Sequence, residues 1–178
     1  MQIGLTQRVL LHKGRAHDSL DHSWYEFLQG HTLIPIPNRL CVPFPDVDLL
    51  LITGGDDHPV RNQIEHELAD SMLSRNLPVI GVCHGCQFLT TKLGGSVVPV
   101  EDHQDSYHKV TYHSEPHLVN SYHSLRIERP PPGATVLARD PDGYPEAWIL
   151  GHTVGIMWHP ERMSQPWWPR EAEQLLNR

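Results

Sequence analysis

The segment Gly81-Val82-Cys83-His84-Gly85 sets a cysteine midway between two glycines. A nucleophile carried on a sharp strand-to-helix turn needs that pattern, because the glycines let the backbone double back and leave the side chain standing above the sheet. The helix that follows would offer unpaired amides and a partial positive charge, favouring the thiolate and an oxyanion formed by its attack. A thiol nucleophile needs a base, and the base needs an orienting group. The segment "IMWHPE", residues 156–161, supplies both. Pro160 biases His159 toward an extended backbone, so His159 and Glu161, two positions apart, project to one side. Glu161 can then hold the imidazole in the tautomer that takes a proton from Cys83.

Two other readings of Cys83 stand beside this one. Burial as an inert thiol is common for cysteine, but it does not account for two glycines around a strand-to-helix turn. A C-x-x-C pair with Cys86 would be a redox or metal motif. Thioredoxin-like pairs lack these glycines, however, and no second cysteine pair is present to complete a zinc site.

The elements that must position these residues alternate. "QIGLTQRV" reads as a first strand and "SLDHSWYEFLQG", residues 19–30, as a helix with Leu20, Trp24, Phe27 and Leu28 on one face. "TLIPIP" and "DLLLIT" follow as strands, the latter apolar on both faces as a parallel strand covered on both sides must be. After "GGDD", Val60, Ile64, Leu68 and Met72 recur every four residues, giving a long helix with Pro59 in its first turn. "LPVIGV" is a buried strand, "HGCQFLTTKLGG" a helix stopped by Gly94 and Gly95, and strand-like pieces then run to "TVGIMWH" before a closing helix, "REAEQLLN". The fold class is α/β, a mainly parallel, doubly wound sheet flanked by helices, with sites expected at the carboxyl ends of its strands. Residues 1–178 read as a single domain.

Composition excludes several classes. Twenty-one acidic against 14 basic residues, the latter scattered, give a net charge of −7 and argue against nucleic acid as a partner. No apolar run could serve as a signal peptide or membrane span, and three cysteines make no disulfide framework, so a cytoplasmic protein is expected. Five of the 14 histidines, His103, His108, His113, His117 and His123, crowd into one span, but their spacing matches no compact ligand pattern and no metal site is read there. The adjacent tryptophans of "SQPWWPR" could form a partner patch; flanking prolines tucking them against the sheet edge is the preferred reading. A monomer or a homodimer fits equally.

Taken together, "TGGD" after the third main strand, "GVCHGCQ", "NSYHSL" and "GIMWHPE" resemble, in order and separation, the class I glutamine amidotransferases and the γ-glutamyl hydrolases that share their fold. The resemblance covers nearly the whole chain and implies a flavodoxin-like sheet. It implies Cys83 as nucleophile, His159 as base and then acid, Glu161 as orienter, and the amides of Gly55 and His84 as the oxyanion hole. Substrate contacts would come from Gly54, Gln87 and the backbone of Ser124 and Leu125, with His123 in a supporting place. The chemistry so implied is hydrolysis of a γ-glutamyl amide through a thioester, with no cofactor. His84 and Cys86 depart from what many relatives carry, and a longer insertion after the glycine pair is missing. "IGLTQRV", the early helix and "IPIPN" resemble the branch of small hydrolases that act on γ-glutamyl nucleotide amidates such as γ-glutamyl-CDP-amidate. Arg61 and Glu65 read as structural anchors or rim residues of the site, or equally as a solvated helix face. Other outcomes for such a chain are a glutaminase subunit feeding ammonia to a separate synthetase partner, and a thiol sensor without catalysis.

Overall fold

The computed structural model describes residues 1–40, 42–101 and 103–177; Cys41, the third cysteine, lies outside them. In chain order the elements are β1 (Gln2–Thr6), β2 (Arg8–His12), β3 (Arg15–Ser19), α1 (Ser23–Phe27), β4 (Thr32–Ile36), β5 (Leu49–Ile52), α2 (Pro59–Ser74), β6 (Val79–Val82) and α3 (His84–Lys92). There follow β7 (Ser96–Pro99), β8 (Ser106–Tyr112), β9 (Glu115–Ser121), β10 (Leu125–Arg129), β11 (Thr135–Arg139), β12 (Pro145–Leu150), β13 (Thr153–Ile156), a 3-10 turn at Pro160–Arg162 and α4 (Arg170–Leu176).

Nine strands form one sheet in the order β4-β1-β5-β6-β13-β12-β11-β8-β9. From β4 to β13 every pairing is parallel, which is the doubly wound sheet expected from the sequence; from β13 to β9 the pairings are antiparallel and continue it. The strand β5 shows why a continuous apolar run was needed. Leu49 and Leu51 pack with Trp24, Trp168 and Ala172 on the face that carries α1 and α4, whereas Leu50 and Ile52 pack with Ile64, Leu68 and Leu89 from α2 and α3 on the other. Alternating side chains thus enter two separate cores.

The N-terminal region differs from expectation. The first strand ends at Thr6, and residues 8–19 form a separate antiparallel hairpin, β2–β3, around Lys13 and Gly14, both at positive φ (49° and 73°). Lys-Gly is a two-residue turn of the kind that closes hairpins, but without strict apolar alternation beside it the signal is easily passed over. The early helix is confined to Ser23–Phe27; Leu20, Trp24, Phe27 and Leu28 nevertheless all join the same core, so their spacing reported the buried face correctly while the helix length was overestimated. The two C-terminal tryptophans are tucked in as preferred: Trp168 packs edge-on against Phe27 at 4.7 Å, and Trp167 stacks on Trp158 at 5.0 Å.

The turn from β6 into α3 has unusual backbone requirements. Cys83 lies at φ 53°, ψ −106°, a conformation that non-glycine residues rarely adopt. A Cβ on Gly81 would collide with the carbonyl of Gly85, and a Cβ on Gly85 with the carbonyl of Ile52. The glycines are there because backbone meets backbone. Gly85→Ala is therefore expected to destabilise the fold by about 1–3 kcal/mol or more, read as a melting temperature lower by roughly 4–10 °C; an unchanged melting temperature would show that α3 can step back freely.

Candidate functional site

Cys83 caps β6 and begins the turn into α3, while His159 follows β13, the neighbouring parallel strand. The Cys83 amide donates to the Ile156 carbonyl at 2.8 Å, stitching the two strand ends together. The His159 imidazole meets the Glu161 carboxylate, with Nδ1 and Oε1 2.7 Å apart, and interacts with the Cys83 side chain beside it. Burial disfavours the imidazolium, but the bonds to Cys83 and Glu161 outweigh it and lift His159 to about 10. With Nδ1 committed to Glu161, Nε2 is the nitrogen available to sulfur.

The backbone of His159 is held as firmly as its ring. Its amide donates to Asn120 Oδ1 and its carbonyl accepts from Asn120 Nδ2, both at 2.8 Å. Tyr122, just past β9, meets the imidazole edge-on with centroids 5.4 Å apart. Gly54 also stands against the ring, and any Cβ there would collide with His159. Gly54, expected as a substrate contact, borders the His159 ring directly.

The loop after β5 is fixed from below by a buried ionic network. Arg61 Nη2 donates to the Thr53 carbonyl at 2.7 Å and Nη1 reaches the Gly54 carbonyl at 3.5 Å. Because the peptide is planar and trans, the Gly55 amide points away from the carbonyl that faces Arg61. Gly55 itself lies at φ 143°, and a Cβ there would run into Arg61. Glu65 Oε1 accepts from Arg61 Nε (2.8 Å) and Thr6 Oγ1 (2.7 Å), and its Oε2 lies 2.8 Å from His84 Nε2. Burial alone would raise the Glu65 carboxyl; His84 and Arg61 hold it below the ordinary carboxylate range. Arg61 and Glu65 are fully buried, which removes the solvated-face reading and makes them anchors. His84, an apparent departure from the family pattern, supplies the third member of the network.

Along α3, the amides of His84, Gly85 and Cys86 precede the first helical bond, from Gln87 N to Cys83 O, and so form the free N-terminal turn beside the thiol. Gln87 extends its side chain to the Leu125 carbonyl at 3.3 Å, and the exposed Ser124 gives its carbonyl to the Val100 amide at 2.9 Å. Cys86 is of another kind altogether. It is fully buried against Thr90 and Trp148, and burial pushes its thiol up, well above the ordinary range; it and Cys83 are both free. His123 turns to Glu146, with Nε2 and Oε1 3.8 Å apart, and burial pushes it down to about 3, leaving the ring neutral.

Sequence reasoning missed Asn120 and Glu146. Asn120 opens the very motif "NSYHSL" that drew attention to Ser124 and Leu125, and an asparagine at the end of a strand beside a histidine-rich stretch was the available signal.

A family model described as glutamine amidotransferase class-I matches residues 18–176. The γ-glutamyl-CDP-amidate hydrolase of Campylobacter jejuni subsp. jejuni serotype O:2 is 25% identical over 182 residues, covering 91% of this chain and 90% of that protein. The γ-glutamyl-γ-aminobutyrate hydrolase of Escherichia coli O157:H7 is 28% identical over 191 residues, 86% of this chain and 75% of that one. The crystal structure of a glutamine amidotransferase from Thermotoga maritima shares the fold with a TM-score of 0.73 at 17% identity, over 99% of this chain and 80% of that chain.

Two outcomes follow from this geometry. Since folding raises the His159 pKa, its contribution to stability is complete below about 6.5 and is lost as the pH climbs toward about 10. Melting temperatures measured from pH 7 to 10 should decline in the wild type and decline less in Glu161→Gln, which removes one source of the shift; parallel curves would contradict the assignment. Asn120→Ala should release the His159 backbone and slow alkylation of Cys83 by iodoacetamide on the order of tenfold, followed by mass spectrometry of the Cys83 peptide.

Proposed function

The chain belongs to the class I glutamine amidotransferase family, and from that premise we propose that it hydrolyses a γ-glutamyl amide with Cys83, His159 and Glu161 as its catalytic residues. The observation that carries this reading is the shared imidazole: His159 joins Cys83 to Glu161 at the carboxyl ends of two adjacent parallel strands. Cys83 passes its thiol proton to His159, and Sγ attacks the γ-carbonyl carbon, forming a C–S bond while the carbonyl electrons move to oxygen. The resulting oxyanion lies against the amides of Gly55 and His84. As the tetrahedral adduct collapses, the C–N bond breaks and the departing nitrogen takes a proton from His159. Water then attacks the thioester, losing a proton to His159, and glutamate leaves as the thiol is restored. Gln87, with the backbone of Ser124 and Leu125, would hold the glutamyl end.

The resemblance over nine-tenths of both chains to an enzyme named for γ-glutamyl-CDP-amidate supports a nucleotide-linked amidate as the substrate class. A cleft lined by Val9, Asp18, Asn38, Arg39, His58 and Val60 opens beside the oxyanion loop, where Arg8 packs on Gly55. Asn38 is engaged there by Asp18 and the Gln7 carbonyl, which leaves Arg39 and His58 as the donors that suit a polar, anionic leaving group better than free ammonia.

The test is glutamate release by the purified chain from glutamine and from a panel of γ-glutamyl amides that includes a γ-glutamyl nucleotide amidate. Release from substituted amides, abolished in Cys83→Ala and retained in Cys86→Ser, is expected. Release from glutamine alone would favour an ammonia-supplying subunit with a separate synthetase, and an undiminished rate in Cys83→Ala would overturn the nucleophile.

A further inference from the structure

Behind the site, on the side of Tyr122 and His123 away from the thiol, the fold gathers a second group of side chains that the proposed chemistry does not use. Glu146, near the start of β12, is fully buried, and neither carboxylate oxygen has a hydrogen-bond partner among the described residues. Its neighbours are imidazoles just outside hydrogen-bond distance: His108 Nε2 is 3.6 Å from Oε2, and His123 Nε2 is 3.8 Å from Oε1. Both nitrogens of His108, both of His123 and Nδ1 of His103 are likewise buried without partners. The His103 ring lies 4.8 Å from that of His108 and 5.0 Å from that of His123, centroid to centroid. One ligating atom from each of His103, His108 and Glu146 fits within a mutual separation of 4.8 Å.

This concentration of unsatisfied polar atoms is costly as it stands. Each buried donor or acceptor without a partner carries a desolvation penalty, and native interiors rarely tolerate several together. Hydrogen bonds within the group do not relieve it, because the separations around Glu146 are too long for direct bonding. Tetrahedral zinc ligands about 2 Å from the metal stand about 3.3 Å from one another, so the 3.6 Å separation of His108 from Glu146 lies close to what an ion would require. Half-buried His103 and His108 have room to close the remainder. Imidazoles with one carboxylate suit a borderline divalent ion, whereas calcium or magnesium would call for oxygen ligands.

We propose that His103, His108 and Glu146 bind one divalent transition-metal ion of the zinc class, with the His123 ring packed beside Glu146. The ion would tie the segment before β8, β8 itself and β12 into one unit, next to the end of β9. Its place is structural. Because Asn120 and Tyr122 flank the same strand end, the metal also braces the clamp on His159 from behind. The sequence spacing concealed this group because its carboxylate comes from a strand distant in the chain.

The intact protein, stripped with a chelator and reloaded with zinc chloride, should retain one zinc per chain through gel filtration by inductively coupled plasma mass spectrometry. At free zinc about a hundred times Kd its melting temperature should rise by roughly 5–10 °C, and cobalt in place of zinc should give the visible absorption of a tetrahedral site. Glu146→Gln and His103→Ala should each weaken zinc binding at least tenfold; His103 is half-buried, so that variant keeps its fold by circular dichroism even if Glu146→Gln does not. His17→Ala, on the exposed hairpin, should bind as the wild type does. Less than a fifth of an equivalent retained by the wild type, or zinc affinity unchanged in His103→Ala and Glu146→Gln, would overturn the site and leave only adventitious binding by surface histidines.

Discussion

The approach of the first turn of α3 to the backbone of β5 is the constraint on which the rest of the molecule depends. Gly85 lies against the Ile52 carbonyl with no room for a side chain, and that proximity forces the chain to leave β6 at once, with Cys83 at φ 53°. A non-glycine residue in such a conformation costs on the order of 1–3 kcal/mol and persists only where its surroundings over-determine it. Here they do: β5 and β6 are buried on both faces, and Phe88 and Leu89 anchor α3 in the core shared with α2. Glycine at position 83 would relieve the strain but would remove the sulfur. The strain is the condition for presenting a side chain at the start of a helix, within reach of a residue on the next strand.

The second constraint is electrostatic and serves the same corner. Removing one member of a buried ion pair typically costs about 3–5 kcal/mol, because the other is left uncompensated. Glu65 meets Thr6 from β1, Arg61 one turn earlier on α2 and His84 at the start of α3, while Arg61 continues to the carbonyls of Thr53 and Gly54. A single carboxylate and a single guanidinium therefore link the carboxyl ends of β1 and β5, the long helix and the turn that carries Cys83. The position of the Gly55 amide and that of the His84 amide are consequently set by one network rather than by two independent loops.

What the sequence disclosed followed from how local the physics was. The parallel strands, α2, α3 and the elbow were legible because each depends on runs of apolar residues or on glycines adjacent to the feature they permit. The His159 and Glu161 pairing was legible because two positions along an extended chain fix a common direction. The β2–β3 hairpin escaped because its residues bury little, leaving only the Lys13-Gly14 turn as a sign. Burial of Arg61 and Glu65 was undecidable from helical spacing, since both a salt-bridged surface and a buried pair place opposite charges four apart. Asn120 was invisible as a clamp because its partners are the backbone groups of a residue 39 positions away.

That clamp also explains the sheet's unusual second half. His159 lies between β13 and a short 3-10 turn: its carbonyl accepts from the Arg162 amide at 3.2 Å, but its amide has no strand or helix partner, and a buried backbone group must find one. Asn120 supplies that acceptor and a second donor to the carbonyl, yet it stands on β9, which is separated from β13 in the sheet order by β12, β11 and β8. The antiparallel half must therefore curl so that the end of β9 returns over the site. The pairing of β11 with β8 is limited to Thr111 and Tyr112, and such a sheet cannot stay tightly laddered where it bends. In this half of the sheet His103, His108, His123 and Glu146 come together where aliphatic side chains would ordinarily pack. An asparagine brought across the sheet to hold the His159 backbone thus carries the end of β9, with His123 just beyond it, to the side of Glu146 on β12.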